Sequence, residues 1–164
     1  MASPKSRGSV DSDARRAYTD ALKLLARREL SEAQIRQRLA RRQHEQDAVD
    51  AAIERLREEK AIDDLRVAEA IARSETALRK RGKLRVRLQI ERAGIAASTA
   101  RRVVDEVFAD LDADTLLDAA LAKRLRPGHD IADDRAFNRL YRYLVGQGFD
   151  PDRVMALLRT RRLK

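Results

Sequence analysis

Cysteine is absent from the 164-residue chain, which excludes a disulfide framework and any thiolate metal site. Aromatic residues make up only 4%, too few for a large aromatic-rich core. The three prolines are widely separated and β-branched runs are missing, so little in the chain breaks helices and little favours strands. No uncharged stretch approaches the roughly 20 apolar residues that span a bilayer. The opening segment, Met1 to Val10, is small and polar rather than basic and then apolar, so no secretory signal is visible. Together these absences predict a soluble, cytoplasmic protein.

What is abundant is charge. Lys, Arg, Asp and Glu account for 38% of residues, with a net charge of +9 and an isoelectric point near 10.4. That surplus favours an anionic partner, either phosphates or an acidic protein surface. Leu, Ala, Arg and Glu dominate the rest, a composition of helix bundles or helical repeats.

Residues 1–12 carry Pro, Gly and Ser without periodicity and are expected to form a disordered tail. From Asp13 the pattern is helical: Ala14, Ala17, Tyr18, Ala21, Leu22 and Leu25 make one apolar stripe. Ser31 with Gln34 reads as a capping box, starting a helix with Ile35 and Leu39 inward. Asp47 is expected to cap the next helix, which buries Val49, Ala52, Ile53 and Leu56. Asp64 is expected to cap a helix carrying Val67, Ala68, Ile71 and Leu78, running to Arg81 and stopped by a left-handed Gly82. A basic helix with Val86 and Ile90 inward follows and closes at Gly94. Ser98 or Thr99 then opens one with Ala100, Val103, Val104, Val107 and Leu111 inward. Asp114 or Thr115 starts the last cycle, which breaks at Arg126–Pro127–Gly128. Asp133 or Asp134 caps a helix bearing Phe137, Leu140, Tyr141 and Leu144 that ends at Gly146 to Gly148. Asp150–Pro151, a cap followed by proline at the first helical position, starts the last helix.

These cycles superimpose. Ile35, Val86 and Leu140 hold one place, Leu39, Ile90 and Leu144 a second, and Gln43, Gly94 and Gly148 mark the turn. The period is about 50 residues, too few for each unit to bury its apolar face alone. The predicted fold is all-α: three tandem three-helix repeats stacked into an elongated, curved array. Residues 1–12 are the tail, and the repeats span 13–62, 63–112 and 113–164, the second being the most basic.

Catalysis finds no support. His44 and His129 are far apart in the chain, without a second ligand type at metal spacing, and His44 holds a turn position occupied elsewhere by Ile95 and Phe149, which points to packing. Asp63–Asp64 and Asp133–Asp134 sit at helix starts, where carboxylates act as caps. No catalytic residue, metal, cofactor or small-molecule substrate is expected. Leu88 to Val103 has helix-turn-helix spacing and would offer Ser98, Thr99, Arg101 and Arg102 to a major groove. The same frame recurs at Gln43 to Leu56 and Gly148 to Leu158 with different presented residues, so it reads as packing grammar.

The basic cluster remains. From Arg79 to Arg102 nine Lys or Arg face one acid, Glu91, with Lys83 and Arg87 on one outer face. Few aromatics interleave with it, so stacking on single-stranded bases is not supported there.

At this level the residues resemble the RecX family, regulators of the RecA recombinase. The likeness rests on Ala21-Leu-Lys-Leu-Leu-Ala-Arg-Arg-Glu-Leu-Ser-Glu, the Ile62-Asp63-Asp64 junction, Arg66-Val67-Ala68, Arg73 and Arg81-Gly82. It continues through Val86 to Ile90, Gly94-Ile95 and Gly148-Phe149. Gln43-His44 stands where the family has glycine and an apolar residue, and Val67 where it favours an aromatic. The resemblance implies three tandem three-helix units, with Asp64, Ala68, Gly82, Gly94 and Gly148 as structural motif residues. It implies a monomer that binds RecA–DNA filaments in their groove, touching DNA weakly or within the filament. There it would restrain RecA ATPase, strand exchange and coprotease activity by blocking extension or promoting disassembly. Lys80, Arg81, Lys83, Arg85 and Arg87 are the expected central contact, with Arg36, Arg41 and Arg42 beside them. Arg101, Arg102, Arg135, Arg139, Arg142, Arg159, Arg161 and Arg162 extend the basic face. The competing readings are a non-specific helical DNA-binding or architectural protein and a purely structural helical scaffold.

Overall fold

The computed structural model describes residues 7–126 and 128–162. Among them are nine α-helices: α1 (Arg7–Leu25), α2 (Glu32–Arg41), α3 (Gln46–Glu58), α4 (Asp64–Ala77), α5 (Lys83–Arg92), α6 (Ala97–Ala109), α7 (Ala113–Ala122), α8 (Asp134–Gly146) and α9 (Pro151–Thr160). No strand occurs among the described residues, only an isolated bridge between Ile131 and Arg162. The all-α, three-by-three arrangement is as the periodicity predicts.

The repeat register appears in the backbone. Gln43, Gly94 and Gly148, the three turn positions, all have positive φ, at 62°, 79° and 91°. Glycine enters the left-handed region without steric cost; Gln43 does so with a side chain.

Several helix ends differ from expectation. α1 begins at Arg7, so residues 7–12 of the expected tail are helical, because propagating an existing helix is easy compared with nucleating one. Residues 1–6 lie outside the described residues. Asp63, not Asp64, caps α4: its Oδ1 accepts from the Leu65 and Arg66 amides at 2.9 and 3.1 Å. Asp64 is already helical, and its carboxylate instead accepts the Glu32 amide at 2.9 Å. The cap position of α3 is Glu45, not Asp47, and its amide donates to Asp13 at 3.2 Å. α6 starts at Ala97 after an Ala96 cap with no side-chain bond, ahead of Ser98 and Thr99. Asp112 caps α7 through the Asp114 amide at 3.0 Å, two residues before the expected start.

The left-handed stop after α4 is Lys80, at φ 54°, not Gly82. The helix ends at Ala77, which leaves Leu78, expected inside, 74% exposed. The exposed carbonyls of Leu78 and Arg79 both accept from the Lys123 ammonium at 3.0 Å, supplying partners that a helix C-terminus lacks. Leu22 and Leu111, also assigned inward, are on the exposed side.

Other ends match. The Ser31–Gln34 capping box is complete, both bonds at 3.2 Å. Asp133 caps α8, and Asp150 caps α9 through the Asp152 and Arg153 amides, both at 3.0 Å. Of the break at 126–128, Pro127 lies outside the described residues, and Gly128 follows it at φ 79°.

By compactness the chain divides into two units. One holds residues up to Val67 together with Ala93–Ile95; the other holds Ala68–Arg92 and residues from Ala96 onward. In the first, Ala17, Ala21, Leu30, Ile35, Leu39, Val49, Ile53 and Leu56 form the core, each large aliphatic contributing about 1.5–3 kcal/mol by burial. In the second, Leu116, Leu117, Leu121, Leu140, Leu144, Val154 and Leu158 cluster with Ile131 and Phe149, and Val86, Ile90, Val103 and Val104 are also buried.

Candidate partner-binding surface

In the second unit α5 is built for close approach. Gly82 donates its amide to the Gln147 carbonyl at 2.9 Å, and Leu84 donates to Gly148 at 3.2 Å. A Cβ on Gly82 would lie 2.6 Å from the Phe149 nitrogen, so only glycine permits this contact. One amide of the first turn of α5, that of Leu84, is thereby used internally. What remains for a partner is side-chain charge.

That charge divides by what already holds it. Arg81 is bound inside, its guanidinium meeting Glu75 at 2.5 Å, with the two side chains 16% and 10% exposed. Lys83 meets Asp105 at 2.6 Å and Arg87 meets Glu91 at 3.6 Å, but both pairs are exposed enough to exchange partners readily. Lys80 and Arg85 have no ion-pair partner among the described residues, and the Arg85 Nε is buried without a hydrogen bond. On α6, Arg101 and Arg102 are exposed, and neither has an ion-pair partner among the described residues. Lys83, Arg87 and Arg101 meet at one open groove of about 470 Å³, floored by Leu84, Val104 and Phe149.

The first unit gives a similar sorting. Arg36 is held by Glu32 at 2.9 Å and by Asp50, and Arg57 grips the same Glu32 at 2.6 Å. Burial alone would raise the Glu32 carboxyl, yet its hydrogen bonds to Arg36 and Arg57 hold it below its ordinary value. Arg42 pairs with Asp20 at 3.3 Å, and Arg41 is exposed with no ion-pair partner among the described residues. His44, expected to pack, is buried with its ring nitrogens 3.3 Å from Asp13 and 3.1 Å from Asp20.

Towards the end of the chain, Arg135, Arg139 and Arg159 are exposed without ion-pair partners among the described residues. Arg142 donates to the Asn138 carbonyl at 3.3 Å. Arg161 pairs with Asp118 at 3.5 Å and Arg162 with Asp134 at 2.5 Å. Asp105 and Lys123 carry no signal in linear spacing, because their partners lie outside the i+3 and i+4 positions of a helix; Glu75 pairs with Arg79 at i+4 and also reaches Arg81 across the turn.

Comparison with known proteins agrees with this architecture. Residues 17–56 match the family model described as RecX, first three-helix domain. The regulatory protein RecX of Halorhodospira halophila is 36% identical over 137 residues, covering 83% of this chain and 82% of its own. The chain belongs to the RecX family. A second member, regulatory protein RecX of Chlorobium phaeobacteroides, is 32% identical over 150 residues, covering 91% of this chain and 95% of its own. The fold matches the crystal structure of RecX from Lactobacillus salivarius with a TM-score of 0.71 at 21% identity, over 92% of this chain and 97% of that one. These RecX relatives are named as regulatory proteins. Among the described residues no helix is long and apolar enough to cross a membrane.

Within the RecX frame the motif residues acquire definite work. Gly82 and Gly148 allow the close approach at the start of α5, where a Cβ on Gly148 would lie 2.9 Å from the Arg85 Cα. Gly94 turns the chain at φ 79° with no room for a side chain beside Ala33. Asp64 accepts the Glu32 amide at the start of α2, and Ala68 is fully buried.

Proposed function

We propose that this chain regulates the RecA recombinase by binding the RecA–DNA filament. Occupying the filament groove, it would restrain ATP hydrolysis, strand exchange and coprotease activity by blocking extension or promoting disassembly, acting as a cytoplasmic monomer in DNA repair and recombination. Membership in the RecX family is the observation that carries this reading. The site chemistry supports it as binding without covalent steps: unpaired cations beside an open groove suit an anionic polymer.

The unpaired members of the basic face, Lys80, Arg85, Arg101 and Arg102, with Arg41, Arg135, Arg139 and Arg159, are the proposed primary contacts. Lys83 and Arg87 join by exchanging Asp105 and Glu91 for the partner. Arg36 and Arg81 serve chiefly to hold the fold, whereas Arg142 and Arg162, in exposed contacts, exchange as Lys83 and Arg87 do.

The test adds the purified chain to preformed RecA filaments and follows ATP hydrolysis, with a bare-DNA titration alongside. Inhibition of hydrolysis together with feeble binding to bare duplex supports the regulator. Tight duplex binding that falls steeply with salt, without an effect on hydrolysis, supports the non-specific DNA-binding alternative instead.

A further inference from the structure

The aromatic residues, scarce elsewhere, gather near the end of the chain. α8 carries Phe137, Tyr141 and Tyr143 interleaved with Arg135, Arg139 and Arg142. Each of these three rings is only partly buried, and two lie beneath guanidinium groups: Arg124 is 4.7 Å from the Tyr143 ring centre, and Arg162 is 5.8 Å from that of Phe137. Interleaved rings and cations are what the central basic cluster lacks, and they are the ingredients for holding single-stranded nucleic acid.

Tyr143 also borders a cavity. An opening of about 590 Å³ is lined by Leu125, Ile131 and Tyr143, with Arg124 and Arg139 beside them and Asp130 as the one acid. Its volume falls in the roughly 300–1,000 Å³ range of small-ligand pockets. Both arginines are exposed and have no ion-pair partner among the described residues. A nucleobase needs an apolar wall, a flat ring or guanidinium to stack on, and cations nearby for the phosphates on either side. All three are present here.

We infer that this cavity is a nucleobase subsite: it receives an unpaired base of single-stranded DNA or RNA against Tyr143 and Arg124, while Arg139 binds an adjoining phosphate. A duplex keeps its bases stacked and cannot place one there, so the site selects unpaired strands. No recombinase is required, which separates this inference from the function proposed above.

The experiment measures fluorescence anisotropy of a labelled oligothymidylate with the full chain at low salt, beside an abasic oligonucleotide of equal length and a duplex. The thymidylate should bind at least about fivefold more tightly than the abasic strand and more tightly than the duplex. Tyr143→Leu and the exposed-site variant Arg124→Gln should each remove most of that preference, whereas Arg27→Gln, at an exposed position of the first unit, should leave it intact. Unchanged thermal melting confirms folding, and Arg124→Gln decides the matter should Tyr143→Leu fail to fold. Equal binding of thymidylate and abasic strands overturns the inference, as does a preference for duplex, retention of base preference in Arg124→Gln, or absence of strand binding.

Discussion

Glu75 and Arg81 face one another as a carboxylate and a guanidinium 2.5 Å apart, each largely withdrawn from solvent. They straddle the turn that ends α4, and this pairing removes one cation from the basic cluster. Taking away Glu75 leaves the Arg81 guanidinium largely buried and uncompensated, which is costlier than the pair is stabilising, whereas taking away Arg81 leaves Glu75 paired with Arg79 at 3.5 Å.

Glu75→Gln should therefore lower stability by about 3 kcal/mol, the lower end for a broken buried pair. Arg81→Gln should cost less, because Arg79 still neutralises Glu75, and the double variant should lose less than the two together. Urea unfolding followed by circular dichroism measures all three. Additive losses would mean that the two charges do not act as a pair.

Gly82→Ala should destabilise through overpacking, by about 1–3 kcal/mol, because the added carbon meets the backbone of Gly148 and Phe149. Gly148→Ala should cost more, since its φ of 91° is strained for any side chain as well. Thermal melting of both variants gives the ranking, and the reverse order would place the strain elsewhere.

Acid should loosen the first unit. Hydrogen bonding to His44 leads in holding Asp20 below its ordinary value of 3.8, with Lys23 and Arg42 assisting. Burial would raise Asp13, but the Glu45 amide, His44 and Arg16 together leave it lowered. A carboxyl lowered in the folded state lends stability above its unfolded value and loses it as pH falls through the folded one. Stability should thus be retained down to about pH 4 and fall below it. Asp20→Asn should flatten that fall, as measured by chemical unfolding across pH 2–6.

The unpaired cations should matter more to binding than the committed ones. Arg101→Glu with Arg102→Glu should weaken filament binding by about tenfold or more with unchanged melting, as expected when like charges are set against an anionic partner. Lys83→Glu with Arg87→Glu should weaken it less, because each cation is already partly neutralised. Co-sedimentation with RecA filaments compares the pairs, and an equal or inverted ranking removes the distinction drawn from ion pairing.

Ser31→Ala should cost about 1–2 kcal/mol. The hydroxyl is fully buried, accepts the Gln34 amide and donates to the Ala93 carbonyl, so its loss leaves two buried groups without a partner. Differential scanning calorimetry would register the change, and an unaltered melt would show that water replaces the hydroxyl.

The amino-acid order by itself determined the helical class, the threefold period and most of the core. Apolar spacing at three and four residues sets which face of a helix must leave water, and Ile35, Val86 and Leu140 are buried accordingly. Caps with one unambiguous candidate, Ser31 and Asp150, were equally legible. Adjacent candidates were not: Asp63 and Asp64 are chemically identical, and only backbone direction selects which carboxylate reaches the amides. Tertiary structure alone decided that Gly82 serves close approach rather than a left-handed turn, because the group it must clear, the Gly148–Phe149 backbone, is remote in sequence. It alone decided which cations are free as well. A linear count of Lys and Arg cannot show that Glu75 holds Arg81 or that Lys123 is drawn to the end of α4, since opposite charges find each other by proximity in space.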